Sequence, residues 1–210
     1  MKKKLISLLL CGALLCGALA GCSSNSADTS DDSASATSQS EETTKTLTTA
    51  VGAELNTLYP LNMDVQNNIG TKLCYEGLVN YENGEVVPCL AESWEFSDDG
   101  KTLTFHLKEG VTFHDGTAFN AEAVKADFDF AHPNPNFSNI SAVANVESIE
   151  VVDEYTVAFH YPNAYFAYLL DFCYPETMVL VSPAVLEEGN YQSMNGVVGT
   201  GPYIYDEIVD

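Results

Sequence analysis

The chain has 210 residues, with eight lysines, no arginine and 30 aspartates and glutamates, which gives a formal net charge of −22 at pH 7. Nucleic-acid-binding proteins neutralise phosphates with basic side chains, so this balance argues against that class of function. An anionic ligand would find few cationic partners. The acidity is explained by solubility and is only weak evidence for a cationic ligand.

Residues 1–21 have the features of a secretory signal peptide. Three lysines precede an apolar run over residues 5–20, which is shorter than the about 20 residues that a bilayer span needs. The run ends in LAGC, residues 19–22, which resembles a lipobox, where the chain is cut before a cysteine whose thiol carries a lipid. The alternative, an ordinary signal with an incidental cysteine, fits the abrupt change to polar residues less well. We expect Cys22 to anchor an exported protein to the outer face of the cell membrane.

Residues 22–46 are predicted to be a disordered tether. From Ser23 onward the segment contains no aromatic and no large aliphatic residue. Such a composition buries too little apolar surface to offset the entropy that is lost on ordering. We expect this tether to hold a folded domain, residues 47–210, away from the membrane.

The first half of this domain is predicted to combine a helix with hairpins. The predicted elements are a strand over 47–51, a helix over 66–79, a tight turn at Asn83-Gly84, and strands over 93–96 and 102–107 joined at Asp99-Gly100. In the last strand Leu103, Phe105 and Leu107 share one face, so His106 is predicted to face solvent. Trp94 starts the hairpin against Phe105 and is predicted to be largely buried.

The second half continues the alternation of helices and strands. The predicted elements are a helix over 120–131 capped by Asn120, strands over 146–152 and 155–161, a short helix over 165–173, a buried strand over 178–181, a helix begun by Ser182-Pro183, and a strand over 203–208. His160 is predicted on the outer face of its strand. Strands and helices are interspersed, and hairpins mix with crossovers, which indicates an α/β fold with mixed sheets.

Three of the six cysteines belong to this domain: Cys74, Cys89 and Cys173. Their number is odd and they show no CxxC spacing. An exported protein could form one disulfide from them, but small buried core thiols are the favoured interpretation.

The sequence contains no recognisable catalytic set. It has no GxSxG elbow, no HExxH and no phosphate-binding GxxxxGK[ST] motif. His114-Asp115 could suggest a metal-dependent hydrolase, but Asp115-Gly116 between a strand and a helix favours a simple turn. The four histidines also lack the spacing of zinc ligands, so we predict no metal site.

A series of motifs follows one order along the chain: Ala91, Trp94, Asp99-Gly100, an alternating strand over 102–107, Lys108, Gly110, and much later Gly-Thr-Gly-Pro-Tyr at 199–203. Together with its surroundings, residues 75–130, this series resembles the extracytoplasmic solute-binding proteins of peptide and nickel ABC transporters (solute-binding family 5). The resemblance covers residues 47–210.

The resemblance implies a periplasmic-binding-protein-like fold of the class II type, in which two lobes close around a ligand. Family members are more than twice as long as this chain, and their second lobe follows the matched segment. We therefore expect residues 47–210 to be an incomplete N-terminal first lobe, with the second lobe absent.

The resemblance also implies where a ligand is contacted. In dipeptide-binding members the loop before the first helix supplies contacts, and the candidate ligand-binding residues here are Tyr59, Asn62, Met63 and Asp64. Nickel-binding members place a methionine near Asn68 and an arginine near Val179, and neither residue type is present there.

The implied function is the capture of oligopeptides or dipeptides and their delivery to an ABC permease, by a monomer without cofactor or catalysis. Binding of nickel or a metal chelate is the alternative within the family. A lipid-anchored surface hydrolase is the alternative from another class, and the missing nucleophile–base set argues against it. A passive surface adhesin is a third possibility, and the ordered series of motifs argues against it.

Overall fold

The computed structural model describes residues 68–174, 178–188 and 196–207, together with Thr46, Thr48, Leu58 and Pro60. Several predictions lie outside the described residues: the signal peptide, the lipidation site Cys22, nearly all of the tether and of the strand over 47–51, and the ligand-binding candidates Tyr59, Asn62, Met63 and Asp64. No helix in the described part of the chain is long and apolar enough to cross a membrane.

The helices in the described residues are α1 (Asn68–Cys74), α2 (Ala121–Ala131), α3 (Ser141–Ala144), α4 (Tyr168–Asp171) and α5 (Pro183–Glu188), with a 3₁₀ turn at Pro135–Phe137. The strands are β1 (Val79–Glu82), β2 (Glu85–Pro88), β3 (Ala91–Phe96), β4 (Thr102–Leu107), β5 (Ser148–Asp153) and β6 (Thr156–His160). They form a two-stranded sheet, β1-β2, and a four-stranded sheet in the order β3-β4-β6-β5. Every pair of these strands is antiparallel.

The four-stranded sheet has one buried and one outer face. Leu103, Phe105 and Leu107 of β4 are buried, as their alternation predicts. On the outer face the His106 ring lies 3.9 Å from a carboxylate oxygen of Glu95. His160 lies on the same face, where its two ring nitrogens contact the Thr102 hydroxyl and the Glu150 carboxylate. The prediction that both histidines belong to the outer face is confirmed.

Helix α2 packs on the buried face of this sheet. The Asn120 side chain accepts a hydrogen bond of 2.9 Å from the Ala123 backbone N–H, which is the predicted N-cap. Four buried phenylalanines form a cluster between the helix and the sheet: Phe105 of β4, Phe128 of α2, Phe159 of β6 and Phe172. The ring centroid of Phe159 lies 4.9 Å from that of Phe128 and 5.0 Å from that of Phe172, the spacing at which aromatic pairs attract.

A second apolar cluster lies beside the first and contains Cys74, Tyr75, Val181 and Val185. Residues 178–181 join the two clusters, because alternate side chains of this extended segment belong to one or to the other. The segment was predicted to be a buried strand. It is buried, but its pairing is a single antiparallel bridge between Val179 and Gly77.

Three predicted elements are shorter or absent. The helix predicted over 66–79 ends at Cys74, because Leu78 instead accepts backbone hydrogen bonds from Cys89 and Ala91. The helix predicted over 165–173 is limited to α4. Residues 203–207 form no strand; the Tyr203 N–H instead donates to the Leu73 carbonyl at the end of α1, at 3.0 Å.

Trp94 is partly rather than largely buried. It pairs with Phe105 in the β3–β4 register and packs against the edge of the first cluster. The prediction of deep burial was wrong because β3 is an edge strand of the four-stranded sheet, so its side chains are covered on one side only.

Candidate functional site

The described residues form a groove of about 510 Å³, a size that is typical of small-molecule sites. It is lined by the C-terminal end of α1, by β1, by residues 172–174 and 178–179, and by Pro202. Val79, Phe172 and Met178 supply buried apolar surface. Tyr81 and Tyr174 are 56% and 54% exposed, so two aromatic rings stand at the rim, where they could cover a bound molecule.

The charged side chains of the groove have both signs. Lys72 lines it together with Glu76 and Glu82. A zwitterionic ligand could therefore place its carboxylate near the lysine and its ammonium group near a glutamate. In a partly enclosed groove such pairs are worth more than they are in water.

Two cysteines that line the groove are poor nucleophiles. Burial and, second to it, the nearby Glu76 carboxylate raise the pKa of the Cys89 thiol, whose sulfur lies 3.8 Å from that carboxylate. Burial raises the pKa of Cys173 to about 11. Both thiols therefore stay protonated at neutral pH and do not act as thiolates. Cys74, Cys89 and Cys173 are all free. Cys74 and Cys89 are buried, as the favoured interpretation predicts, whereas Cys173 is only partly buried.

The groove contains an open strand edge. One edge of β1 pairs with β2. On the opposite edge the Leu180 N–H donates to the Glu76 carbonyl at 2.9 Å and Val179 bridges to Gly77. Beyond that bridge, no strand among the described residues pairs with this second edge of β1. An edge of this kind presents N–H and C=O groups that an extended peptide can bind.

The groove wall at α1 is completed by the Gly-Thr-Gly-Pro motif. The Gly201 N–H donates to the Cys74 carbonyl at 3.0 Å. A Cβ added to Gly201 would lie 2.6 Å from the backbone carbon of Cys74, closer than real Cβ atoms approach other atoms. Only glycine permits this contact, which brings the adjoining Pro202 into the lining of the groove.

Of the residues singled out from the sequence, His114 and Asp115 lie in a turn, as predicted. Gly116 has a φ of +85°, and Asp115 accepts a hydrogen bond from the Thr117 N–H at 2.9 Å. Within the described residues, no group of three or more His, Cys, Asp and Glu side chains could hold a metal ion.

Sequence reasoning missed the residues of this groove, among them Glu76, Asn80, Tyr81 and Tyr174. The first three flank or belong to β1, where only the first residue of the strand is buried. In the sequence, polar residues directly before the Asn83-Gly84 turn predict a hairpin and do not by themselves indicate a binding site.

The chain is similar to known proteins of one family. The family model described as bacterial extracellular solute-binding proteins, family 5 Middle, matches residues 85–210. The glutathione-binding protein GsiB of Escherichia coli K12 is 36% identical over 165 residues, which is 77% of this chain and 32% of GsiB. The chain thus spans about a third of the length of the curated relatives it matches.

Two solved structures show the same fold. NikA from Brucella suis in complex with Fe(III)-EDTA has a TM-score of 0.63 at 34% identity, over 72% of this chain and 32% of that one. A dipeptide-binding protein from Pseudoalteromonas sp. in complex with Met-Leu has a TM-score of 0.66 at 25% identity, over 76% of this chain and 36% of that one. These similarities confirm the predicted α/β fold of the periplasmic-binding-protein kind.

Proposed function

The chain belongs to the bacterial extracellular solute-binding proteins of family 5, and from that premise we propose that it captures a small peptide outside the cytoplasm for import by an ABC transporter. The observation that carries the proposal is the groove, in which an open strand edge lies beside charged side chains of both signs. A peptide matches this combination, because its main chain can pair with β1 while its two termini meet opposite charges. Relatives that bind glutathione and Met-Leu support the same ligand class.

The proposed mechanism is binding without catalysis. Residues 47–210 form part of a first lobe, and a peptide is enclosed when a second lobe closes on it. Tyr59, Asn62, Met63 and Asp64 remain candidate contacts in addition to the groove. The loaded monomer then docks on the membrane permease. No cofactor is required.

Binding can be tested by titrating the ¹⁵N-labelled chain with reduced glutathione and with Met-Leu. A lobe that supplies half of a binding free energy of about −8 kcal/mol gives about −4 kcal/mol, which is a millimolar Kd. We expect amide shifts at residues 72–82 and 172–180, and their loss in Lys72→Ala. Lys101→Ala removes the same charge from an exposed turn and should bind as the unmodified chain does. Shifts confined to other residues, or none at millimolar peptide, contradict the proposal.

A metal chelate is the second candidate, because the similar NikA structure contains Fe(III)-EDTA. The described residues offer no group of metal ligands, so the contacts would be made to the chelator. Adding Fe(III)-EDTA to the same titration separates the candidates: stronger binding of the chelate than of either peptide favours it.

We also propose that Cys22 carries the lipid anchor and that residues 22–46 form the tether. Cys22→Ser should move the protein from the membrane to the soluble exported fraction and abolish labelling by a radioactive fatty acid. Cys16→Ser alters another cysteine of the same N-terminal region and should leave both properties intact. Label that persists in Cys22→Ser would overturn this proposal.

A further inference from the structure

The turn over residues 113–118 lies outside the groove lining but contacts the segments that form its walls. We propose that this turn is a clamp that fixes the positions of two segments that contribute to the groove lining, residues 178–182 and 199–202, with Asp115 and His114 as its positioning residues. Only the expected effect of the clamp on peptide binding rests on the proposed function, because the clamp itself is a property of the fold.

The turn is held by its own hydrogen bonds. The Phe113 N–H donates to the Thr117 carbonyl and the Gly116 N–H donates to the Phe113 carbonyl, both at 2.9 Å. One oxygen of the Asp115 carboxylate accepts the Thr117 N–H at 2.9 Å. The turn therefore fixes the carboxylate in place, and its second oxygen remains for a contact elsewhere.

That second oxygen holds the segment 178–181, whose first two residues line the groove. It accepts a hydrogen bond of 2.5 Å from the hydroxyl of Ser182, a fully buried residue that directly follows this segment. Although burial acts to raise it, the pKa of Asp115 lies below its ordinary value, because Ser182 and Thr117 donate hydrogen bonds to the carboxylate. A hydrogen bond to an ionised acceptor is stronger than one between neutral groups.

His114 holds the segment that contains Pro202. Its backbone N–H donates to the Gly199 carbonyl at 2.9 Å, and its Nε2 lies 2.7 Å from the Gly201 carbonyl. Since a carbonyl oxygen only accepts, Nε2 must carry the proton. Gly201 in turn donates to Cys74 at the end of α1, and Pro202 lines the groove.

Two adjacent residues thus reach partners 67 and 87 positions away in the chain, one in each segment. Because the turn is short and closed by its own hydrogen bonds, it fixes both segments, in addition to the hydrogen bond that the Ser182 N–H donates to the Val198 carbonyl. Loss of the hydrogen bond of Asp115 to Ser182, or of that of His114 to Gly201, should leave the four-stranded sheet intact and loosen the segment that this bond holds.

The chain supplies a matched control at Asp99. This residue also precedes a glycine in a turn, where it accepts a serine hydroxyl, from Ser97 at 2.7 Å, and a backbone N–H, from Lys101 at 3.1 Å. Asp99→Ala and Asp115→Ala therefore each remove one serine–carboxylate bond and one turn bond, but only Asp115 contacts a segment behind the groove.

The test is amide hydrogen exchange of the full chain, measured residue by residue. The Ser182 N–H donates to the Val198 carbonyl. Asp115→Ala should increase the exchange rate of this amide by roughly tenfold, the factor that corresponds to the free energy of an ordinary hydrogen bond. The Gly100 amide should be unchanged in this variant. Asp99→Ala should show the reverse pattern. Asp115→Asn, which can contact both the Thr117 N–H and the Ser182 hydroxyl, should restore slow exchange.

Equal effects of the two alanine variants on Ser182, or no effect of Asp115→Ala, would overturn the clamp. If Asp115→Ala does not fold, Ser182→Ala decides in its place, because it removes the hydrogen bond between Ser182 and Asp115 but leaves the bonds of the turn intact. The amides of Gly201 and Tyr203, in the segment that His114 holds, are then the internal control. Met-Leu binding is measured on the same samples and should weaken several-fold in Asp115→Ala and not in Asp99→Ala. If the unmodified chain does not bind Met-Leu or glutathione, the proposed function fails, whereas the exchange pattern still decides the clamp.

Discussion

The sheet covered by α2 and the region around the groove are held together by different interactions. In the first, residues that are close in sequence form hairpins, and the side chains on one face are buried among four phenylalanines. In the second, segments more than 50 positions apart meet through single hydrogen bonds and close backbone contacts. The comparison shows that burial of apolar surface shapes the body of this domain, whereas polar contacts between distant segments shape its groove.

This difference predicts where substitutions act. A change in the phenylalanine cluster should lower the free energy of unfolding and leave the geometry of the groove intact in molecules that remain folded. A change at a groove contact should alter the geometry of the groove and lower the free energy of unfolding by a smaller amount. The following predictions test this division, beginning with the largest effect.

Phe159→Ala should cost about 3–5 kcal/mol in the free energy of unfolding, because it leaves a cavity among three other rings. Phe159 is completely buried and contacts Phe105, Phe128 and Phe172. Chemical denaturation of the full chain measures the loss. Phe166→Ala removes the same side chain from a position that is 64% exposed and should cost less than about 1 kcal/mol. Similar losses in both variants would mean that the cluster does not dominate stability.

Most of the first region was predictable from the sequence, because its features depend on residues that are close together in the chain. Strand alternation and the Asp99-Gly100 turn depend on neighbouring residues. The observed φ of +67° at Gly100 lies in the left-handed region that glycine adopts readily. The Asn120 cap is also a contact within one helical turn. Such features need no knowledge of the tertiary fold.

The groove was not predictable in this way. Leu78 fits the helical spacing of α1, but its burial arises from contact with the segment that leads into β3. Residues 203–207 have the composition of a strand, yet Tyr203 donates to the end of α1. The proposed contacts of Tyr59, Asn62, Met63 and Asp64 stay predictions. Which distant segments meet is a tertiary property that periodicity does not encode.

Gly201→Ala tests the second region and should cost about 1–3 kcal/mol, because the new Cβ would lie 2.6 Å from a backbone atom of Cys74 and force the motif away from α1. The amides of Gly201 and Tyr203 should exchange faster, since both donate to the end of α1.

Gly110→Ala is the control for this substitution. Its Cβ would meet no atom within 4 Å, although the φ of +71° imposes backbone strain. This variant should lower stability without changing exchange at the end of α1. If Gly110→Ala and Gly201→Ala gave the same exchange pattern, the motif would not hold the groove wall.

Asp127 connects the two regions, and its replacement by asparagine has the smallest expected effect at pH 5. It lies on α2, but its carboxyl accepts a hydrogen bond of 2.6 Å from the Val181 N–H in the segment that forms a groove wall. Burial raises its pKa from 3.8 to about 8, although the hydrogen bond from Val181 acts to lower it. The folded protein therefore keeps a proton that the unfolded chain releases near pH 4.

The sign of the pH effect follows from this difference. Between about pH 4 and pH 8 the folded state binds more protons at Asp127 than the unfolded state does, so this residue's contribution to stability falls as the pH rises through that interval. Asp127→Asn keeps an acceptor for Val181 and cannot ionise. It should change the free energy of unfolding by about 1 kcal/mol or less at pH 5, and stability should then fall less steeply toward pH 8 than in the unmodified chain.

Denaturant unfolding at a series of pH values measures this slope. Asp129→Asn removes a carboxyl from the exposed side of the same helix and controls for the change in net charge. If Asp127→Asn and the unmodified chain showed the same slope, the buried carboxyl would not hold a proton in the folded state. The contact between α2 and the groove wall would then be a carboxylate bound to a backbone amide, and the apolar region would contain a charge.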